Sequence, residues 1–443
     1  DYWPLNRLSE VKATSKIPAV EMKSELSGKK KKSRKKDAEK AVAAVKSAEV
    51  KKPAVSEFKW SLIYPLLLEK ILLFIFSILS SIATYVAADS AGAVHSGAIP
   101  FVIRIGNAFV SYVVYVGKMI LPVNLAVLYP HPGKVILWQV LGAAIFLIVM
   151  TFIVIWKAKK LPFLATGWFW YLITLVPVIG IVQAGPQAMA DRYAYVSLIG
   201  LFIMVAWGVP VLLRKWTYRK QILIAISALS ILCLSVMTWM QVGYWRDSVT
   251  LFNHTLNVTN GNYRAYNIRG VAYADLANYK QAIADYSKAI EIEPGFPDAY
   301  YNRGKDYAVL GNHRQAIEDY SRAIKIKPNY AIAFNNKGNA YTDLGNHRQA
   351  VEDYTRAIEI QPDYSEAYFN RGNAFVMLGS YREAIDDYAR AIEIQQDFAA
   401  AYKNRGIAYA RFGNNNLAIQ DLKTAAKLGD ESAKAFLRSR GIN

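Results

Sequence analysis

The pattern of hydrophobic positions divides the chain into two halves with different periodicities. Long apolar stretches occur between residues 61 and 244. They approach the roughly 20 residues that an α-helix needs to cross a bilayer core of about 30 Å. Residues 245–443 show instead short amphipathic segments that recur at a fixed spacing. The pattern therefore predicts an all-α protein, with a multi-pass transmembrane region at 60–244 followed by an α-solenoid.

The apolar stretches predict about five membrane spans. Tryptophans lie at the ends of several stretches, where their amphipathic rings favour the headgroup level. Residues 61–243 contain only three acidic side chains, which argues against the buried helices of a large soluble protein. The predicted spans are residues 71–88, 135–156, 161–182, 193–213 and 221–244.

Basic clusters predict the orientation of these spans. Short loops rich in Lys and Arg remain cytoplasmic, and such clusters occur at residues 29–36, 157–160 and 214–220. Five alternating spans put all three clusters on the cytoplasmic side and everything after Tyr244 outside. We therefore expect a cytoplasmic N-terminus and extracytoplasmic repeats. The single cysteine and the chance-level number of glycosylation sequons favour a bacterial inner membrane with periplasmic repeats, which would be lumenal in a eukaryote.

The apolar stretch at residues 99–129 also contains several polar side chains. It carries Arg104, Asn107 and Ser111 at spacings of three and four, which is one face of a helix. A single crossing here would reverse the parity and turn the later basic loops outward. The stretch is therefore predicted to be interfacial or re-entrant on the outer side. The alternative is a true span accompanied by another span that the pattern does not reveal.

The net charge of +19 does not indicate a nucleic-acid partner. Residues 1–60 carry +8 and residues 61–243 carry +9, whereas residues 244–443 carry only +2. A DNA-binding protein needs its basic charge on a folded face. Residues 1–59 are predicted to be a disordered cytoplasmic Lys-rich segment attracted to anionic membrane lipids. One cysteine, Cys233, excludes an intrachain disulfide or a CxxC site, and we expect no metal and no cofactor.

The second half repeats with a period of 34 residues. Glycine, aromatic and alanine columns recur in each unit, so that small residues allow two helices to approach and large rings fill the space between neighbouring pairs. This pattern resembles the tetratricopeptide repeat. A capping helix is predicted at 245–264 and a C-terminal cap at 430–443, with Asp430 as N-cap. The predicted repeats are residues 265–298, 299–332, 333–366, 367–400 and 401–434.

Two polar columns run along the first helices of these repeats. An amide column can donate to and accept from the backbone of an extended polypeptide whatever its sequence, although asparagine also suits a solvated helix surface. The neighbouring basic column, which runs from Arg269 to Arg405, is expected to snorkel or to pair with acids such as Glu318 or Asp319 rather than to bind an anion. The candidate peptide-binding column consists of Asn302, Asn336, Asn370 and Asn404.

Polar groups of the membrane half gather on the predicted outer side, at Asp89, His95, residues 129–133 and residues 183–193. Within the last segment we take Arg192, with its neighbours Asp191 and Tyr193, as a candidate site for the phosphate of a lipid-linked donor, because a guanidinium binds phosphate bidentately. The alternative is a simple Asp191–Arg192 pair or snorkelling at a helix start.

Three stretches resemble the transmembrane-and-tetratricopeptide-repeat family of protein O-mannosyltransferase-like, C-type glycosyltransferases. They are Asp1-Tyr2-Trp3-Pro4-Leu5, Tyr129-Pro130-His131-Pro132 and Gln187-Ala188-Met189-Ala190-Asp191-Arg192-Tyr193-Ala194-Tyr195. The resemblance implies a parent that transfers sugar from a polyprenyl-phosphate donor to protein. In that family the catalytic acid lies in the first outer loop, near the start of the protein, and the first stretch falls in mid-chain. This chain is thus expected to be the C-terminal portion, with no catalytic residue and no activity alone. The alternative is a non-enzymatic, membrane-anchored scaffold for envelope or secretory protein assembly.

Overall fold

The computed structural model describes residues 100–131, 133–179, 187–189, 191 and 194–442, together with Ala83 and Val86. The predicted Lys-rich segment at 1–59, most of the first predicted span and the outer-loop residues Asp89 and His95 lie outside the described residues. The described part is almost entirely α-helical, which confirms the predicted all-α class. It divides into two compact units.

The first unit contains residues 1–113, 135–185 and 195–219. Its described helices are α1 (Phe101–Ile120), which extends past the unit's boundary at Val113, α2 (Leu137–Lys157), α3 (Pro162–Leu175) and α4 (Ala194–Leu212). A 3₁₀ turn, Leu213–Lys215, extends α4. α5 (Arg219–Tyr244) begins at the edge of this unit and belongs otherwise to the second.

α3 supplies most of the buried contacts of the first unit. The Tyr171 hydroxyl donates to the Tyr112 carbonyl at 2.5 Å, and the Tyr112 hydroxyl donates to the Leu172 carbonyl at 2.7 Å, which ties α3 to α1. α3 and α4 approach most closely at Gly167 and Gly200, where a Cβ on either residue would collide with the carbonyl oxygen of the other. Small residues at such crossings allow helix backbones to pack closely within membranes.

α3 is shorter than the span predicted at residues 161–182. It has 14 residues and is followed by the 3₁₀ turn Val176–Val178. At 1.5 Å per residue, the α-helical part extends about 21 Å, which is less than the hydrocarbon core of a typical bilayer. Pro177 explains the change, because proline has no N–H to donate and disfavours the α conformation in the residue before it.

Three of the described helices are long and apolar enough to cross a membrane, namely Leu137–Lys157, Ala194–Lys215 and Arg219–Tyr244. They correspond to the second, fourth and fifth predicted spans. Most of their large apolar side chains are exposed, and α5 buries none of its residues. Such surfaces are the ones that a lipid environment would cover.

α1 covers residues 101–120 of the ambiguous stretch and does not present its polar face to solvent. Asn107 and Ser111 are buried, with 7% and 2% of their surface exposed, whereas Phe101, Val102 and Phe109 are exposed. A helix floating at a water interface would show the opposite arrangement. The polar side chains therefore help to pack α1 against the protein, and its outward face is apolar.

The second unit contains residues 114–134, 186–194 and 220–443. Two short strands, β1 (Tyr129–Pro130) and β2 (Gln187–Met189), pair antiparallel in it. The capping helix is α6 (Ser248–Val258), and Asp247 accepts from the Thr250 N–H at its N-terminus. The closing helix is α17 (Glu431–Ser439), and its N-cap is Asp430, as predicted.

Each predicted repeat forms a pair of helices. The first helix of each pair begins two residues before the predicted start of its repeat. The pairs are α7 (Tyr263–Asp275) and α8 (Tyr279–Ile292), α9 (Pro297–Val309) and α10 (His313–Ile326), α11 (Ala331–Asp343) and α12 (His347–Ile360), α13 (Ser365–Met377) and α14 (Tyr381–Ile394), and α15 (Ala399–Arg411) and α16 (Asn415–Lys427).

The glycine column lets the two helices of a repeat approach, as predicted, and the tyrosine rings pack against these glycines within the repeat as well as against the next repeat. A Cβ built on Gly338 would lie 2.6 Å from the ring of Tyr354, and one on Gly372 would lie 2.8 Å from the ring of Tyr388. Only a residue without a Cβ leaves room for the ring. The buried tyrosines fill the space between paired helices, and this packing holds each repeat together.

Candidate functional site

The asparagine column lies on the first helices, and its side chains are half-buried. Each amide nitrogen donates to the preceding repeat. The acceptors are Asn267 Oδ1 for Asn302, the Tyr301 hydroxyl for Asn336 and Asn335 Oδ1 for Asn370, each at 3.1 Å, and Asn373 Oδ1 for Asn404 at 2.8 Å. The column therefore connects successive repeats, a role that sequence reasoning did not assign to it.

One of these bonds departs from the regular register. Asn302, Asn336 and Asn370 reach a residue 35 positions earlier, whereas Asn404 reaches back 31 positions. The regular position is taken by Phe369, which offers no acceptor. Each primary amide has a second N–H in addition to the bond that it donates, and its carbonyl oxygen has two lone pairs, one of which accepts from Asn335 Nδ2 in the case of Asn336. The column therefore retains hydrogen-bonding capacity for a ligand.

The basic column is neutralised by buried aspartates, as the pairing hypothesis expected. Arg303 contacts both carboxylate oxygens of Asp319 at 2.8 Å, and only 8% of the Asp319 side chain is exposed. Asp319 is the partner, and Glu318 is not. The acids follow their bases by 16 residues: Arg269–Asp285, Arg303–Asp319, Lys337–Asp353, Arg371–Asp387 and Arg405–Asp421. This constant spacing was visible in the sequence and could have identified every pair.

Some of these arginines also bridge to the preceding helix. Arg303 Nη1 donates to Ser287 Oγ at 2.9 Å, and Arg371 Nη1 donates to Thr355 Oγ1 at 2.9 Å. The guanidinium of Arg303 also lies within about 6 Å of two tyrosine ring centroids. Since each charge of the column is paired with an aspartate, these interactions support a structural role for the column rather than an anion site.

Of the three donor-phosphate candidates, the structure describes only Asp191, since Arg192 and Tyr193 lie outside the described residues. Asp191 Oδ2 accepts from the Tyr129 hydroxyl at 2.7 Å and from the Ala126 N–H at 3.2 Å. Lys118 Nζ lies 3.5 Å from Asp191 Oδ1 and donates to the Tyr129 hydroxyl. We call Lys118, Tyr129 and Asp191 the outer-loop cluster.

The outer-loop cluster joins two of the motifs singled out in the sequence. Tyr129 begins β1 and Asp191 follows β2, so the strand pairing brings the two side chains together. Burial raises the pKa of the Tyr129 hydroxyl, and Asp191 raises it further. The phenol therefore stays protonated and donates to the carboxylate. Sequence reasoning considered Arg192 as a partner of Asp191 and missed Lys118, which is 73 residues away in the chain.

The loop that contains Tyr129 of the outer-loop cluster also contacts the start of the solenoid. His254 Nε2 lies 3.0 Å from the Leu125 carbonyl, and Asn262 Nδ2 donates to the Leu128 carbonyl at 3.0 Å. The His254 ring stacks on Tyr244 at 3.7 Å, where α5 ends. Residues 121–131, the end of α5, the capping helix and the beginning of the first repeat are therefore in mutual contact within the second unit.

Among the described residues, no group of three or more His, Cys, Asp or Glu side chains is arranged to hold a metal ion. Cys233 is exposed on α5. In the described part, the candidate binding groups are the hydrogen-bonding side chains along the repeats and the outer-loop cluster.

Comparisons with known proteins match the repeat region. Sequence models of the tetratricopeptide repeat match residues 270–311, 297–330, 338–379 and 372–413. No curated protein matches the chain in sequence.

Solved structures with similar folds include MamA and YrrB. MamA is 26% identical over 37% of this chain and 96% of its own, with a TM-score of 0.36. YrrB, described as a TPR protein with an unusual peptide-binding site, is 23% identical over 42% of this chain and 97% of its own, with a TM-score of 0.38. Helix pairs, column packing and matched sequence models agree: the C-terminal region of this chain is a tetratricopeptide repeat solenoid.

Proposed function

We propose that this protein is a membrane-anchored repeat module that binds an extended polypeptide along the first helices of its repeats. The observation that carries the proposal is the asparagine column, whose members recur every 34 residues on half-buried helix surfaces. Each amide uses one donor to reach the preceding repeat and keeps a second N–H and at least one carbonyl lone pair. A backbone laid across the column would meet the same chemistry at each repeat.

The electrostatics of the repeats favour backbone recognition over charge recognition. The basic column next to the asparagines is paired with buried aspartates, and residues 244–443 carry a net charge of only +2. A ligand selected by its charge would require an unpaired cluster of one sign. Backbone amides and carbonyls carry no net charge and would suit this surface.

Binding can be tested with the full chain in detergent and a permanently unfolded probe, reduced and carboxymethylated α-lactalbumin carrying a fluorophore. We expect saturable binding by fluorescence anisotropy, and at least a tenfold loss of affinity when both Asn336 and Asn370 are changed to Ala. The matched control is Asn329→Ala, an exposed asparagine in the turn before α11. Urea unfolding of each variant shows whether the solenoid remains folded.

The proposal fails if the folded Asn336→Ala, Asn370→Ala double variant binds the probe as tightly as the control. It also fails if the wild-type chain shows no saturable binding, since the column offers the same groups to any extended backbone.

The contacts of the second unit support a topology for the anchor. β1 precedes α2 in the chain, and β2 precedes α4. Both strands lie in the unit that contains the repeats. If they share the side of the membrane occupied by the repeats, α2 and α4 start on that side. The basic residues at their far ends, Lys157 and Arg214, then face the cytoplasm, in agreement with the positive-inside rule.

A second candidate function is participation in polyprenyl-phosphate-sugar-dependent protein O-glycosylation by a larger parent. The observation that favours it is the outer-loop cluster, because the two stretches that resemble the glycosyltransferase family are hydrogen-bonded to each other. In this proposal, Asp191 is held by Tyr129 and Lys118 so that the adjacent Arg192 can bind the donor phosphate.

This second function can be tested by native mass spectrometry of the chain with undecaprenyl phosphate. We expect an adduct that Arg192→Ala removes and Arg214→Ala, in a predicted cytoplasmic loop, retains. Equal adducts in both variants would remove Arg192 from the proposal. No adduct in the wild-type chain would leave the non-enzymatic module as the function.

A further inference from the structure

The first junction between repeats contains an acid where the other repeats carry alanine. Asp306 lies on α9, two residues after Gly304, and its residue surface is 0% exposed. The same column in the other repeats is occupied by Ala272, Ala340, Ala374 and Ala408. The methyl group of alanine is well suited to such a buried position. The carboxylate of Asp306 loses its hydration there.

The later repeats show what this column contacts. Ala340 packs with Ala316 and Tyr320 of the preceding repeat. The same arrangement recurs for Ala374 with Ala350 and Tyr354, and for Ala408 with Ala384 and Tyr388. By the repeat period, Asp306 faces Ala282 and Tyr286, both of which are 0% exposed.

Neither Asp306 nor Tyr286 finds a hydrogen-bond partner among the described residues. In the third and fourth repeats the equivalent tyrosine hydroxyls donate to Asn339 and Asn373 at 2.7 Å. The first repeat has Val271 at that position, which cannot accept a hydrogen bond. An unpaired buried acceptor and an unpaired buried hydroxyl therefore lie in the same junction.

Burial outweighs the effect of the charges around Asp306 on its pKa. Burial raises the pKa of Asp306 to about 6 from an ordinary value of 3.8. Lys305 lowers this pKa in part, while Asp275 on α7 raises it. The remaining titratable groups nearby are the hydroxyls of Tyr286 on α8 and Tyr320 on α10, both neutral around pH 7 because burial raises their pKa values.

We propose that the junction between the first and second repeats is a pH-sensitive joint, which opens more readily than the later junctions when Asp306 is ionised and closes when Asp306 is protonated. In the folded chain Asp306 holds its proton up to a higher pH than in the unfolded chain. Stability therefore falls as pH rises between the unfolded and folded pKa values, and the loss is complete above the folded value. The joint separates α6 to α8 from the four repeats that follow.

Hydrogen exchange with mass spectrometry on the full chain in detergent, between pH 5 and pH 8, tests the joint. After correction for intrinsic exchange rates, peptides from α7 and α8 should open more at pH 8 than at pH 5, by roughly tenfold in the opening constant, because pH 5 lies about one unit below the folded pKa of about 6 and one pKa unit is about tenfold. Peptides from α15 and α16 should change little.

Two variants separate the joint from general instability. Asp306→Ala restores the residue of the other repeats, so it should fold, protect α7 and α8 at pH 8 and abolish their pH dependence. Ala340→Asp installs the acid in the next junction and should transfer the pH dependence to α9 and α10. The proposal is overturned if wild-type exchange at α7 and α8 is independent of pH, or if Asp306→Ala leaves it unchanged.

Discussion

At the scale of single residues, the repeats depend on pairs of opposite charge that the sequence displays at constant spacing. Asp319 is almost buried, and Arg303 satisfies both of its oxygens. A buried ion pair contributes little against an apolar replacement, but removal of one partner leaves an uncompensated charge. We therefore expect the basic column to stabilise the folded repeats by pairing the buried aspartates.

Two arginines of neighbouring helices should therefore differ in their contribution to stability. Arg303→Ala should destabilise the solenoid by about 2–3 kcal/mol, because Asp319 would remain buried without its partner. Arg322→Ala, at an exposed position of α10, should change stability by less than about 0.5 kcal/mol. Urea unfolding of the full chain, followed by far-UV circular dichroism, gives both values. Similar losses in the two variants would contradict a structural role for the pair.

The same residues show how far sequence reasoning reaches. Gly338 and Tyr354 could be assigned to the packing between helices because their columns recur, and the structure confirms it. The hydrogen bond from the Asn336 amide to the Tyr301 hydroxyl could not be predicted, because it depends on how neighbouring repeats pack against each other. Asp306 broke a column of alanines in the sequence, yet its burial without a partner needed the fold to become visible.

At the scale of helices, hydrophobic length predicted which stretches are helical better than it predicted where each helix ends. The fifth predicted span, 221–244, agrees closely with α5. α3 stops early at a proline turn that a count of apolar residues ignores. The burial of Asn107 and Ser111 depends on the helices that surround α1, so the inward direction of its polar face could not be read from the period of a single helix.

The crossing of α3 and α4 yields a prediction at this scale. Gly200→Ala places a methyl group against the Gly167 carbonyl oxygen, a backbone atom that cannot move away as a flexible side chain could. We expect a loss of about 2 kcal/mol or more, since overpacking in well-packed cores costs about 1–3 kcal/mol. Thermal unfolding of the detergent-solubilised chain measures it.

The matched control for this crossing is Gly142→Ala on α2. A Cβ at Gly142 would have no neighbouring atom within 4 Å, and alanine is the better helix former by about 1 kcal/mol. This variant should be neutral or stabilising. If the two variants lower the melting temperature equally, the Gly167–Gly200 contact does not hold α3 and α4 together.

At the scale of the whole molecule, the charge pattern along the sequence and the contacts of the second unit both bear on which side of the membrane the repeats occupy. The positive-inside rule predicts repeats on the side opposite the loops at 157–160 and 214–220. Independently, residues 121–131 contact the capping helix, and β1 pairs with β2. In the proposed topology the chain crosses back between Lys160 and β2, where the described helix α3 has only 14 residues.

This topology predicts which sites a membrane-impermeant maleimide can reach in intact cells. In a Cys233→Ser background, Asn329→Cys in an exposed turn of the repeats should be labelled from outside. Lys159→Cys, in the loop between α2 and α3, should be labelled only after the membrane is permeabilised. If α3 failed to cross, β2 and the repeats would not share a side with residues 121–131, and the contacts that join them could not form in the membrane. Labelling of both sites from outside would therefore overturn the topology, and so would labelling of neither.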